Sequence, residues 1–445
     1  MTAIRIGAGA GFSGDRIGPA VDLARRGELD FLIFECLAER TIAQAQLNRL
    51  SDSEGGFDPH LEARMRAVLP ICQANGTRII SNMGAANPLA AARHVARLAT
   101  ELGVGGLCVA AVTGDDVLAY CRSALPDLDN GLNFADIAPR VISANAYIGA
   151  GPVVRALENG ADVVLTGRVA DPALFLAPLI HRFGWRMDDW DRLGKGTLAG
   201  HLLECAGQIC GGYFADPGFN DVPDLANLGF PIGLIDAEGG VEITKLPGTG
   251  GAIRPATVKE QILYEILDPA RYLQPDVIAD FSNVAVEQIG PDHVRVTGAT
   301  GHPRTGKVKA TISYHDGYIG EGQISYAGPG AVARAELARS VIRQRLEPLG
   351  LREGRVDLIG VDALHGPLPG AAAAPNEVRL RAIGRSDDKD AASMIGQEVE
   401  ALYTNGPAGG GGAWKSVRAA VSLCSALLDE RVVDPDVTFY EAQPT

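Results

Sequence analysis

Six short apolar segments of this 445-residue chain end on groups able to do acid–base or hydrogen-bonding chemistry. The groups are Ser13 and Asp15, Glu35 and Glu39, Asn82 and Asn87, Asp115 and Asp116, Asn145 and Tyr147, and Arg168 and Asp171. Glu35 stands out. It closes the apolar run Leu29–Phe34, is followed by Cys36-Leu37-Ala38, and does not sit where a helix cap would. A carboxyl in such surroundings is a general acid or base, because burial disfavours its charged form. Arg168 is the only cation at these ends, and its planar fork suits a carboxylate or phosphate; a salt bridge to nearby Asp171 is the competing reading. Asn82 and Asn145 would orient hydroxyl or carbonyl oxygens. Asp115, Asn87 and Asp171 also read as helix N-caps.

Glycines supply the second kind of chemistry. Gly9-x-Gly11-x-x-Gly14 follows the strand-like Ile4–Ile6, and Glu35 lies about twenty residues on, the spacing of a dinucleotide-binding turn. Gly11, Ser13 and Gly14 would then face an anion, with the acid on a ribose. Pro247-Gly248-Thr249-Gly250-Gly251 lies between a strand and a helix, so its N–H groups form a candidate anion nest. Gly409-Gly410-Gly411-Gly412 runs into an expected helix, Trp414–Leu428, whose N-terminus would cradle phosphate or an oxyanion. The eight histidines include no H-x-x-x-H or H-E-x-x-H spacing, and there is no G-x-S-x-G elbow. His201 and Glu204 lie three apart on an expected helix, as a metal pair or as structure. The seven cysteines include no C-x-x-C pair, and Cys36 reads as core.

Strands and helices alternate through the first half to position these groups. Expected strands are Leu29–Phe34, Arg78–Ile80, Leu107–Val112, Val141–Ala144 and Asp162–Thr166, after Ile4–Ile6. Expected helices between them include Arg16–Arg26, Leu61–Ala74 and Leu89–Leu102. Continuous apolar strands alternating with amphipathic helices predict an α/β fold with a parallel doubly wound, Rossmann-like sheet over 1–215. A mixed α+β second domain follows over 216–445. There Ile232–Ile235 with Val241–Ile243, and Val284–Ile289 with Val294–Thr297, read as hairpins. Lys307–Tyr314 and Tyr318–Tyr326 read as a third, turning at His315-Asp316-Gly317. Gly366–Pro375 reads as a low-complexity, mobile loop. A net charge of −14 excludes a general nucleic-acid binder. With 46% hydrophobic and 21% charged residues, no membrane-length apolar run and a strand beginning almost at once, the expectation is a cytoplasmic protein without a signal peptide.

The blocks Ile6–Arg16, Phe34–Glu39 and Thr166–Asp171 together resemble the acyclic terpene utilisation (AtuA) family. So do Leu246–Gly251, Tyr326–Ala331 and Tyr403–Gly409. The resemblance implies catabolism of branched terpenoid acids as CoA thioesters, by hydration, dehydration or retro-aldol cleavage. Many relatives carry a ferredoxin-like domain with an Arg-Ser-Gly-Asp-Lys-Gly stretch. Here only Gly384-Arg385-Ser386-Asp387-Asp388-Lys389 comes near it, so a small ferredoxin-like partner subunit is implied. The expectation is a cytoplasmic, homo-oligomeric lyase with Glu35, Asn82, Asp115, Asn145, Arg168 and Asp171 as catalytic residues. It requires no cofactor, coenzyme A entering as part of the substrate. An NAD(P)-dependent oxidoreductase and a shared-site subunit of a complex stay open as alternatives.

Overall fold

The computed structural model describes residues 3–366 and 375–443; apart from its two end residues, the expected loop Gly366–Pro375 lies outside the described residues. The chain forms two compact units, Met1–Ile312 with Leu423–Thr445, and Ser313–Ser422. The expected boundary at 215/216 falls inside the first unit.

The first unit begins with strands β1 (Ile4–Ala10), β2 (Phe31–Phe34), β3 (Arg78–Ser81), β4 (Cys108–Thr113), β5 (Val141–Ala146) and β6 (Val163–Thr166). Two further strands, β7 (Pro231–Ile235) and β8 (Val241–Lys245), follow later. Its helices are α1 (Gly18–Arg26), α2 (Glu39–Ser51), α3 (Leu61–Asn75), α4 (Pro88–Glu101) and α5 (Leu118–Ala124). They continue with α6 (Phe134–Ile137), α7 (Gly151–Glu158), α8 (Ala173–Phe183), α9 (Trp190–Leu203) and α10 (Pro255–Leu263).

A ten-stranded mixed sheet organises the unit. Its parallel centre runs β1-β2-β3-β6-β4, and every residue of β2 and β6 is buried. Such strands need covering on both faces. The connecting helices achieve this: those from β1 to β4 advance along the sheet, with α1, α3 and α4 packed side by side on one face. The return from β4 to β6 to β7 places α7, α8 and α9 on the other.

Only part of the expected Rossmann arrangement is present. In the dinucleotide order 3-2-1-4-5-6 the first strand lies between two parallel neighbours. Here β1 has parallel β2 on one side and antiparallel β7 on the other. The strands after 216 therefore extend the first sheet, through β7, β8 and the hairpin Ala285–Gly290/His293–Thr297. β5 departs from the expectation too. It pairs with the strand Lys307–Ala327 instead of joining the parallel sheet.

In the second unit the strand order is Glu353–Ile359, Glu377–Ser386, Lys307–Ala327, Gly411–Asp429, and the chain passes between units within the last two. Helices Ala331–Leu346 and Lys389–Asn405 close a core around Ile324, Tyr326, Leu380 and Ile395.

Two expected elements are corrected. Lys307–Ala327 is one 21-residue strand rather than a hairpin. Gly317, at φ +78°, kinks it without reversing it, and Tyr318–Ala327 pairs wholly with Glu377–Ser386. The expected helix Trp414–Leu428 is part of the strand Gly411–Asp429. Its buried Ala420, Cys424 and Leu428 are spaced by four, which satisfies both a helical and an alternating period; buried Ala426 on the same face belongs only to the strand. Among the described residues no helix is long and apolar enough to cross a membrane.

Candidate functional site

The carboxyl ends of β1, β2 and β6 open into a cavity of about 1200 Å³, lined entirely by residues of the first unit. Its wall includes Gly11 after β1, Glu35 after β2, Asp171 after β6 and Glu204 at the end of α9. Ligands bind at this end of open α/β sheets as a rule.

Glu35 and Glu204 form the deep part, 9% and 8% exposed. Glu35 Oε1 accepts from the Leu37 N–H at 3.0 Å and from Asn82 Nδ2 at 2.7 Å. Both bonds fall on one oxygen, leaving Oε2 for another partner. Burial pushes the carboxyl up to about 7, against the opposing pull of Arg168, Asn82 and the Leu37 amide, and the charge of Glu204 adds to the rise. Asn82 is itself fixed, accepting from the Cys36 N–H at 2.7 Å. It orients Glu35 and does not line the cavity. Burial pushes the Cys36 thiol well up, as for a core cysteine.

Arg168 does not reach the cavity. Its side chain is fully buried, Nε and Nη2 donate to the Val169 carbonyl at 2.9 and 2.7 Å, Nη1 donates to the Leu37 carbonyl, and Nη2 pairs with Asp171. Its guanidinium stacks over Tyr147, 4.4 Å from the ring centre. Four of its five N–H groups already face protein oxygens and the side chain is fully buried, so the fork is not free for the expected carboxylate clamp. The salt-bridge reading of Arg168 and Asp171 describes it. Asp115 and Asn145 lie off the cavity as well: Asp115 Oδ2 accepts from Asn145 Nδ2 and the Arg168 N–H, and Asn145 Oδ1 accepts from Gln46. These residues hold the β6 end in place.

Glu39 and Tyr147 do line the cavity. Although burial opposes it, hydrogen bonds from Tyr147 and Lys309 bring the Glu39 carboxyl down to about 2, an ion at any working pH. Lys309 and Lys307 are the cavity's lysines, both about half exposed at its rim. Phe12, Leu273 and Leu427 are also exposed there.

The glycine motifs have other duties than those expected. The Gly11 N–H donates to Asp15 Oδ2 at 2.8 Å, and α1 begins only at Gly18. The carbonyls of Phe12, Ser13 and Asp15 face the fully buried Arg64, whose Nη2 donates to them at 3.3, 2.8 and 3.1 Å. A turn held this way presents carbonyls to a cation rather than N–H groups to a diphosphate. Gly14 packs on the Phe12 ring. The expected nest at Gly248, Thr249, Gly250 and Gly251 is closed: Gly250 and Gly251 donate to the carbonyls of Asn227 and Pro223 at 2.8 Å each, and Lys245 binds the Thr249 carbonyl. Gly409 and Gly410 lead into a strand whose first residues are Gly411 and Gly412, so no helix N-terminus stands behind them.

Arg64 and Glu204 are the residues that spacing passed over for these roles. Arg64 falls among Leu61, Met65 and Val68 on the buried face of α3, and a charged residue at an apolar position of the period was its signal. Glu204 gave none beyond its proximity to His201. Among the described residues no three His, Cys, Asp or Glu side chains gather as metal ligands.

The sequence model of the acyclic terpene utilisation family protein AtuA matches residues 4–439, so the chain belongs to that family. No curated protein and no solved structure matches it.

Proposed function

We propose that this AtuA-family chain is a lyase of the hydratase or retro-aldol kind, acting on a branched carboxylate or acyl-CoA thioester. One observation carries the reading: Glu35, oriented through one oxygen by Leu37 and Asn82, stands at the base of a large cavity with its carboxyl poised at about 7. A group titrating near the working pH transfers protons both ways with little loss, and positioned general bases contribute roughly 10²–10⁴-fold. In dehydration Glu35 takes the α-proton, the C–H electrons form the α,β double bond, and the β-hydroxyl leaves as water after protonation. In retro-aldol cleavage it takes the β-hydroxyl proton, and the O–H electrons form the new Cβ=O bond. The Cα–Cβ bond breaks with its electrons passing to the acyl carbonyl as an enolate, and the enolate carbon takes the proton back from Glu35.

Charge decides how such a substrate enters. Carboxylates lining the cavity include Asp15, Glu35, Glu39, Asp171, Glu204 and Glu265, against Lys307 and Lys309 at the rim. Phosphates are repelled from such an interior. The acyl chain therefore leads, along Phe12, Leu273 and Leu427, while Lys307 and Lys309 take over the anchoring assigned from sequence to Arg168. The family's association with acyclic terpenes supports a branched chain.

The test is a panel of β-methyl-branched enoyl- and 3-hydroxyacyl-CoA thioesters, with wild-type protein and Glu35→Gln. Turnover that falls by roughly 10²–10⁴-fold in the variant is expected; turnover retained in a folded variant removes Glu35 from the reaction.

A further inference from the structure

Glu204 is the least explained group in the cavity. It is 8% exposed, and its Oε1 is engaged with His201 Nδ1 at 2.7 Å. Its Oε2 is buried and lacks a hydrogen-bond partner. Leaving a buried carboxylate oxygen unpaired costs on the order of 1–3 kcal/mol or more, so such atoms in native interiors call for a role. Burial raises its proton affinity, and His201 draws it back.

His201 is built to hold this carboxylate. It is 1% exposed on α9, and its ring packs against Tyr272 and Phe281, with centres 5.3 and 6.0 Å away. Its Nε2 has no partner either, so the ring is fixed by packing and by Glu204 alone.

The opening turn supplies the third observation. A Cβ on Gly11 would lie 2.3 Å from the Cys205 carbonyl carbon and 2.6 Å from the Glu204 carbonyl oxygen. Only a glycine lets the 204–205 backbone lie against the end of β1, and the preceding Ala10 carbonyl accepts the Glu35 N–H at 3.0 Å. Gly11 thus brings the two carboxylates to one wall.

Resting on the lyase reading, we infer that Glu204, held by His201, is a second catalytic residue that protonates the leaving β-oxygen while Glu35 takes the α-proton. In dehydration the Cα–H bond breaks to Glu35 and its electrons pass to the thioester carbonyl as an enolate; they then return to form Cα=Cβ as the Cβ–O bond breaks. The oxygen takes the Glu204 proton and departs as water. One proton has then moved from Glu204 to Glu35, and its return resets the site. Two buried carboxylates that share one proton satisfy this arrangement.

The two roles separate in deuterium oxide. With a branched 3-hydroxyacyl-CoA that the wild type turns over, Glu204→Gln is expected to keep exchange of the α-proton within about tenfold. Its enoyl-CoA formation should fall roughly 10²–10⁴-fold, whereas Glu35→Gln should lose both. Glu204→Asp, which keeps the acid, should restore part of the elimination and serves as well if the glutamine variant does not fold. Elimination unchanged in Glu204→Gln overturns the inference, and so does exchange lost in proportion to elimination. If the wild type neither exchanges nor turns over any thioester, the lyase reading fails. The pair is then judged by carboxyl titration in the infrared, where Glu204→Gln should lower the Glu35 midpoint. An unmoved midpoint refutes the pairing.

Discussion

Glu35→Gln tests the cavity chemistry without a substrate, through stability. In the folded protein the Glu35 carboxyl titrates at about 7, against its ordinary 4.5, because burial penalises the charged form. As pH rises past 4.5 the unfolded chain releases this proton while the folded chain keeps it. The unfolded state then binds fewer protons, so stability falls until about pH 7 and is level above it. At about 1.4 kcal/mol per pH unit, the difference of about 2.5 amounts to roughly 3 kcal/mol. Part of this comes from the nearby charge of Glu204. Glutamine stays neutral, and its carbonyl oxygen can still accept from Leu37 and Asn82. Urea unfolding of wild type and variant from pH 4 to 8 should therefore show the variant gaining about 3 kcal/mol relative to wild type between pH 4.5 and 7. The gain belongs to the transition of the first unit, since a two-unit chain need not unfold in one step. A difference that stays constant with pH, within about 0.5 kcal/mol, would refute the perturbed carboxyl.

Other perturbations probe how the wall is built. Gly11→Ala forces the 204–205 backbone away from β1, at a cost of about 1–3 kcal/mol, and should lower the Glu35 midpoint in the infrared; a variant unchanged in both breaks the link between turn and carboxylates. Arg64→Met leaves the carbonyls of Phe12, Ser13 and Asp15 without their buried donor, a loss of roughly 3 kcal/mol. Amide exchange at Gly11–Ile17 should accelerate, and protection equal to wild type would remove Arg64 from its role. Because Asp15 occupies the Gly11 N–H, NADH at about 1 mM should leave the protein's fluorescence unchanged; a Kd below about 1 mM would restore the dinucleotide reading.

How far the sequence carried each residue depends on the range of the physics involved. Glu35 was legible because its signal is local: a buried strand ending on an acid with apolar residues beyond it. The alternation of apolar strands and amphipathic helices likewise located most of the first unit's elements, since period and burial are properties of short segments. Arg168 was legible as a buried-end cation. Whether its fork stayed free depended on the carbonyls of Leu37 and Val169, and Leu37 lies 131 residues away. Spacing by four at Ala420, Cys424 and Leu428 fits helix and strand equally, so only the neighbouring strand decided between them. The glycines show the same limit. Their positions fixed where the backbone would turn or be approached closely, but not by what. The folded chain put the Glu204–Cys205 backbone against Gly11 and a buried arginine under the turn, because those contacts join segments far apart in sequence. The sequence alone therefore determined the family, the alternating elements and one candidate acid. Tertiary packing decided which polar groups face the cavity, which are already engaged, and that a second carboxylate stands beside the first.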